Sequence, residues 1–485
     1  MRLPLSWLVV PALGLMAGCA LRQEALRAPE LPAQARSDPE RFVVITVRNE
    51  PVPAVAAPGS TPRGYAAAGV YGVSASAQAM THALERDYKL HEVSAWPIES
   101  LRVNCIVARL PDLTARSTFI ARLERDSRVE SVQPLNQFAT ESDSPPSAGA
   151  QTQSRPPYLP LQLNLRELEV PQAHKLSQGA AVRIAVVDTG IDYSHPDLRG
   201  RIIARRDFVG GNSGGFTEDR HGTQVAGVIA ATAEGGMGIL GVAPKSRLIA
   251  LKACWPLRRD AAEAACDSFT LAQALQAAIT ARADIVNLSL AGPADPLLTR
   301  LIRYGMRQGI IYVGAVPPAH SGLAGAFPVD IPGVLGVQSA EDAAGISRHL
   351  LAPGRGILTL VPGGHYDFAS GSSLATAEVT GIVALLLADG RRLPAPRVER
   401  ILTRSSRQLT TPAGVFTSVN ACAALADALA RAGCETTDPP STRSEESVKL
   451  DKPERRVLRV DPSRSVVVAH SGSYLHELHW RQLVH

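Results

Sequence analysis

Aromatic residues are scarce in this sequence: nine phenylalanines stand against 36 prolines in 485 residues. That balance points to long irregular connections, and proline is dense between Glu50 and Arg63 and again between Pro145 and Pro160. An excess of charge is also lacking. A net charge of +5 is small for this length, so no nucleic-acid or membrane-surface partner follows from electrostatics. There is no CxxC pair and no histidine cluster, which argues against zinc and leaves no metal site to assign. The N-terminal apolar run, Leu3 to Met16, is too short for a lasting bilayer span. What remains is an ordinary globular composition, 45% hydrophobic and 20% charged, with room for two or three domains.

The N-terminal run follows Arg2 and ends in small residues before Cys19, the pattern of a secretory signal over residues 1–18. Its ending, Leu15-Met16-Ala17-Gly18-Cys19, resembles a bacterial lipoprotein cleavage box. That resemblance implies lipidation of Cys19, membrane attachment through the lipid, and a periplasmic or outer-membrane address. Residues 19–40 read as a tether, with proline and charge but no periodicity. Five cysteines follow. Cys254 and Cys266 are twelve positions apart, as are Cys422 and Cys434; in an exported chain each pair reads as a disulfide. Each is worth about 3 kcal/mol by loop-closure arithmetic. Cys105 is left over as a buried thiol.

Residues 41–140 carry a compact pattern. Phe42–Arg48 reads as a strand, and Ala77, Met80 and Leu84 fall on one helical face. HEVSAWPI and RVNCIVARL read as strands, Leu113–Arg125 as a second helix, and Arg128–Leu135 as a last strand. The order β-α-β-β-α-β is a small ferredoxin-like α+β unit. Residues 141–156 are polar and rich in proline and serine, hence an exposed, cleavable linker. From 157 to 434 continuous apolar runs alternate with helical stretches: RIAVVD, RLIALKA, DIVNLSL, GIIYVGA and GVLGVQS. Unbroken apolar strands are covered on both faces, so the expectation is an α/β domain with a mostly parallel sheet flanked by helices. Residues 435–485 form a low-complexity, charged tail.

The stretch Phe368–Gly390 organises this domain. Ser373 stands before Leu374–Ala388, which carries one charge, Glu378, and reads as a helix buried on nearly all sides and capped by Gly390. A serine at such a helix entry has free backbone N–H groups beside it, which favour a developing oxyanion. Asp188 closes a strand of the parallel sheet, where ligands bind. His221 opens a helix of small residues. The chain order Asp, His, Ser is one of the known triad orders.

With their flanks, VRIAVVDTGIDYSHPDL, HGTQVAGVIAA and SGSSLATAEVTGIVALLL resemble the three catalytic motifs of the subtilase family of serine peptidases. The resemblance implies a subtilisin-like endopeptidase with Asp188, His221 and Ser373 as its triad. It implies a polypeptide substrate, and it makes residues 41–140 an inhibitory propeptide domain bound to the enzyme. It also implies a substrate-binding strand over Ile285–Gly292, with Asn287, Ser289, Ala291 and Gly292 on it and Gly314 and Ala315 beside it. No cofactor is implied, and a structural calcium of the family's kind has no site assigned here. One departure matters: Pro317 stands where the family usually carries its oxyanion asparagine. Ser373 remains as a backbone donor, with His320 or Ser321 as candidate replacements. The alternative is therefore a degenerate subtilase that binds peptides or partners with little turnover.

Overall fold

The computed structural model describes residues 29–51, 71–111, 115–140, 158–210, 215–233, 236–258, 260–317, 327–343, 347–411 and 414–430. The signal, Cys19, the 141–156 linker, Cys434 and the 435–485 tail lie outside them, as do His320 and Ser321. The described residues belong to one compact unit, Met1–Glu435.

The first part comprises α1 (Ala33–Ser37), β1 (Phe42–Arg48), α2 (Ala75–Tyr88), β2 (His91–Ile98), β3 (Val103–Arg109), α3 (Arg116–Leu123), β4 (Val129–Pro134) and β5 (Gln137–Thr140). β1 to β4 form an antiparallel sheet in the order β2-β3-β1-β4, the ferredoxin-like arrangement. Its inner strands β1 and β3 are buried on both faces, while β2 and β4 at its edges are partly exposed. Val43, Ile45 and Val47 pack under Ala77 and Leu84 of α2 and Phe119 and Leu123 of α3. Phe42, Val44, Trp96 and Cys105 face the rest of the molecule. Cys105 is a free, fully buried thiol, and burial pushes it above the ordinary cysteine range. Two features depart from the sequence reading. The expected tether is not extended at its far end: Leu31 and Ala35, around α1, are buried. Beyond β4 the chain makes a further strand, β5, which leaves this sheet altogether.

The second part begins with α4 (Leu163–Glu167), α5 (Val170–Ala173), β6 (Arg183–Asp188), β7 (Ile202–Asp207), α6 (Arg220–Ala230) and β8 (Arg247–Lys252). It continues with β9 (Cys254–Pro256), β10 (Ala264–Asp267), α7 (Ser268–Thr280), β11 (Ile285–Leu288), β12 (Leu290–Ala291) and α8 (Pro296–Arg307). Then come β13 (Ile311–Ala315), β14 (Leu335–Ser339), β15 (Leu350–Ala352), β16 (Ile357–Val361), β17 (His365–Ala369) and α9 (Ser372–Leu387). Seven strands make a wholly parallel sheet in the order β15-β14-β13-β11-β6-β8-β7. Within β6, Ile184 and Val186 join the core that holds α6 and α9, whereas Ala185 and Val187 join the one that holds α7 and α8. An unbroken apolar strand is thus a strand with two buried faces. All sixteen residues of α9 are buried, and it ends at Leu387; Gly390, at φ 76°, lies in the turn that follows and is not itself the cap.

The two parts share the core on the α7/α8 side. Trp96 meets Phe269 edge-on, with ring centroids 4.6 Å apart. Gln133 and Asn136 finish helix entries of the second part. The Leu297 N–H, at the start of α8, donates to Gln133 Oε1 at 2.8 Å. Asn136 accepts from the Ser268 N–H at 3.0 Å. Orphan N–H groups at helix entries need such partners.

Candidate active site

β6 and α6 bring an acid to a histidine. Asp188 ends β6 at its carboxyl end, next to the point where strand order reverses, so its side chain stands at the crevice of the sheet. His221 is the second residue of α6, and its Nδ1 lies 2.7 Å from Asp188 Oδ1. Both side chains are almost wholly buried. The approach depends on glycine: a Cβ on Gly222 would stand 2.5 Å from the Gly190 carbonyl oxygen, so no larger residue fits between α6 and the loop after β6. The same loop is latched to α6 by the Gly222 N–H donating to Thr189 Oγ1 at 2.9 Å and the Asp192 N–H to Thr223 Oγ1 at 2.9 Å. Asp188 Oδ2 and His221 Nε2 are buried without a hydrogen-bond partner.

Behind this pair lies a buried ion pair that sequence reasoning missed. Lys252 ends β8, opposite Asp188 in register, and its Nζ is 2.6 Å from Asp219 Oδ2. Asp219 stands at the N-cap position of α6, two residues before His221, without a capping bond from its side chain; its carboxylate also accepts from the Gly190 N–H at 2.7 Å. Burial pushes the Asp219 carboxyl above the usual range, with the Lys252 ammonium opposing that rise. Asp-Arg-His in sequence is the one signal that could have drawn attention to it.

Ser373 is the second residue of α9. Gly371, at φ 138°, supplies the backbone turn that a side chain resists, and its N–H donates to the Gly354 carbonyl at 2.7 Å. The Ser373 N–H thus belongs to the first helical turn, where backbone donors lack helical partners. Its hydroxyl donates to the Ser289 carbonyl at 3.0 Å. Ser289 Oγ in turn donates to the Ser373 carbonyl at 3.0 Å, and Asn287 bridges Ser289 Oγ and Thr380 Oγ1. Asn287 and Ser289 therefore brace α9 from inside rather than offering polar groups to a ligand. Pro317 follows two residues after β13 and has no N–H to donate. Among the described residues no group of three or more His, Cys, Asp or Glu side chains could hold a metal ion.

The cleft beside Ser373 is filled by the protein's own chain. β5 lies between β12 and β10, antiparallel to both: Ala139 is opposite Ala291 and Ala265, Thr140 opposite Leu290, Phe138 opposite Cys266. A Cβ on Gly292 would stand 2.2 Å from the Phe138 ring, and that ring packs on Phe327 at 5.2 Å between centroids. Gly314 and Ala315 are buried in the sheet, with Gly314 against Pro328. β10, on one side of β5, is stapled by the Cys254–Cys266 disulfide, which joins directly opposed residues of β9 and β10. Cys422 is disulfide-bonded as well.

A parallel sheet with an Asp–His pair at a central strand end and a serine at the mouth of a buried helix has the subtilisin-like fold. It is similar to fervidolysin from Fervidobacterium pennivorans, with a TM-score of 0.58 over 80% of this chain and 61% of that one; at 20% identity the likeness is one of fold. The subtilase family model matches residues 179–422, half of the chain, and the chain belongs to that family. It is 34% identical over 218 residues to the thermophilic serine proteinase of Bacillus sp. strain AK1, covering 43% of this chain and 52% of that protein. With the intracellular serine protease of Paenibacillus polymyxa it shares 33% identity over 253 residues, covering 49% of this chain and 74% of that one. With thermitase of Thermoactinomyces vulgaris it shares 29% over 249 residues, 50% and 87% of the respective chains. The chain thus spans about half of the first of these relatives and most of the other two.

Proposed function

We propose that the chain is an exported serine endopeptidase, made as a precursor that inhibits and then cuts itself. The observation that carries this reading is β5, an extended peptide lying between two rails of a cleft beside Ser373. It has the posture a substrate needs when it adds as a strand. In the proposed mechanism Ser373 Oγ turns from the Ser289 carbonyl to His221 Nε2, the buried nitrogen that has no partner. His221 takes the hydroxyl proton as Oγ attacks the peptide carbonyl carbon. The C–N bond then breaks, the proton passes to the leaving amine, and an acyl-serine remains. Water, deprotonated by His221, attacks the acyl carbon; the C–Oγ bond breaks, the imidazolium returns the proton to Ser373 Oγ, and the acid product leaves. Asp188 holds the imidazole with Nδ1–H toward its carboxylate and stabilises the imidazolium.

Thr140 ends β5 opposite Leu290, the neighbour of Ser289, whose carbonyl meets the Ser373 hydroxyl; the cut is therefore expected at the beginning of the 141–156 linker. Mass and N-terminal analysis of the purified protein tests this: wild type should lose its first part, and Ser373→Ala should stay at full length. Equal processing of the serine variant in a pure preparation would mean that another protease makes the cut. Membrane attachment through a lipid on Cys19 completes the proposal, and Cys19→Ala should move the precursor out of the membrane fraction. Unchanged fractionation would remove the anchor from the model of action.

A second reading, a peptide-binding subtilase with little turnover, has one observation in its favour: Pro317 supplies no oxyanion donor. Losing such a donor costs about 10²–10³ in rate, whereas losing serine or histidine costs about 10⁶. The triad therefore outweighs the missing amide.

A further inference from the structure

The segment before β1 is short, polar in sequence and unlike a domain, yet it is docked. Leu31 and Ala35 are buried in the same apolar cluster as Phe138 of β5, Phe208, and the Cys254–Cys266 pair. The Arg36 guanidinium lies 4.9 Å over the Trp255 ring and donates to the Val209 carbonyl. Gln273 of α7 donates to the Pro29 carbonyl at 3.4 Å, and Gln137 of β5 to the Arg36 carbonyl at 2.9 Å. Gly210 leaves room for Glu30: a Cβ there would stand 2.5 Å from the Glu30 carboxyl carbon. The arm therefore sits on the second part of the molecule at the end of the cleft where β5 enters, away from Ser373.

We propose that residues 29–37 are a docking arm that keeps the cleaved propeptide bound to the catalytic domain, through a groove formed by Val209, Trp255 and Gln273. The proposal rests on the processing described above. Once the linker is cut, no covalent bond among the described residues joins the catalytic domain to the N-terminal part; the two are held together by β5, by the sheet packed on α7 and α8, and by the arm. The arm is the piece nearest the chain's N-terminus. Pro29 follows Cys19 by ten positions, a reach of at most about 35 Å. A lipid at Cys19 would thus hold the cut enzyme close to the bilayer for as long as the arm stays seated. Release from the arm, rather than cleavage, would then set when the enzyme leaves the membrane.

The test uses the full chain with Ser373→Ala and a site for an unrelated protease inserted in the 141–156 linker. After complete cutting by that protease, the N-terminal piece is immobilised by a tag and the release of the catalytic piece is timed. Arg36 makes a charge-assisted hydrogen bond and a stacked cation contact, so Arg36→Ala should speed release about 10–100-fold. Ala35→Asp should do the same if the uncut variant melts as the parent does; if it does not, Trp255→Leu takes its place. Arg36→Ala combined with Trp255→Leu should release no faster than the quicker single variant, because both remove one contact. Release within about twofold of the parent for Arg36→Ala, or additive effects of the pair, would overturn the arm. Because the cut is made without Ser373, either result leaves the peptidase reading to its own test.

Discussion

Glu378 offers the most informative perturbation, because it is an acid inside α9, the apolar helix that carries Ser373 in its first turn. It is wholly buried; Asn164 Nδ2 donates to its Oε1 at 2.8 Å, and its Oε2 has no partner. Burial pushes its carboxyl well above the ordinary range, with Glu341 and Glu167 adding to the rise and the Asn164 hydrogen bond opposing it. Folded protein thus keeps a proton on Glu378 that unfolded chain gives up at about pH 4.3, the ordinary glutamate value. Over that interval the unfolded state binds one proton fewer. Stability contributed by this site is present in full below about pH 4.3 and falls by about 1.4 kcal/mol per pH unit as pH rises toward the folded value. For domains of about 150–250 residues that corresponds to roughly 3–6 °C of Tm per pH unit. Glu378→Gln keeps an oxygen for Asn164 and removes the titration. Calorimetry on Ser373→Ala protein with and without Glu378→Gln, from pH 5 upward at fixed salt, should show the variant gaining on its parent by that amount per pH unit. Two melting curves that stay parallel within about 1 °C would mean that Glu378 is ionised in the fold, and the reasoning fails.

Two further outcomes follow from the cleft. Replacing Cys254 and Cys266 together by serine should lower stability by about 3 kcal/mol in denaturant titrations and raise KM, since β10 is a wall of the cleft; an unchanged midpoint would show the staple to be idle. Pro317→Asn should raise kcat, by up to about 10²–10³, with little change in KM, if no other group already serves the oxyanion. An unchanged kcat would show that a donor is supplied from elsewhere.

What the sequence reveals follows from the range of the forces involved. The runs RIAVVD, RLIALKA and GIIYVGA mark β6, β8 and β13 to within two residues at each end, because two buried faces require an unbroken apolar strand. β7 escapes that reading: Ile203 to Asp207 are exposed at the sheet edge, so IIARRD carries two arginines and an acid. β5 escapes too, since four residues make no pattern and its partners lie over 120 residues away. Asp188, His221 and Ser373 are legible from their flanks, and the structure brings the first two into contact. The direction of the serine hydroxyl, the inward role of Asn287 and the Lys252–Asp219 pair depend on which strands become neighbours, and no local window carries that. The short helix at 33–37 is of the same kind: AQARS has no face of its own until Trp255 and Phe208 provide one.

β10 and β12 do not pair with each other; they are joined only by what lies between them. Take β5 away and each presents a row of unpaired N–H and C=O groups to a gap one strand wide. A helix is too thick for that gap, and a hairpin brings one strand too many. Any polypeptide that fills it must first surrender a few residues of its own folded structure, a local opening whose free energy runs from near zero in frayed termini to the full stability in a core. On the proposed function, the two rails would sort polypeptides by how loosely they are folded, before a single side chain has been read.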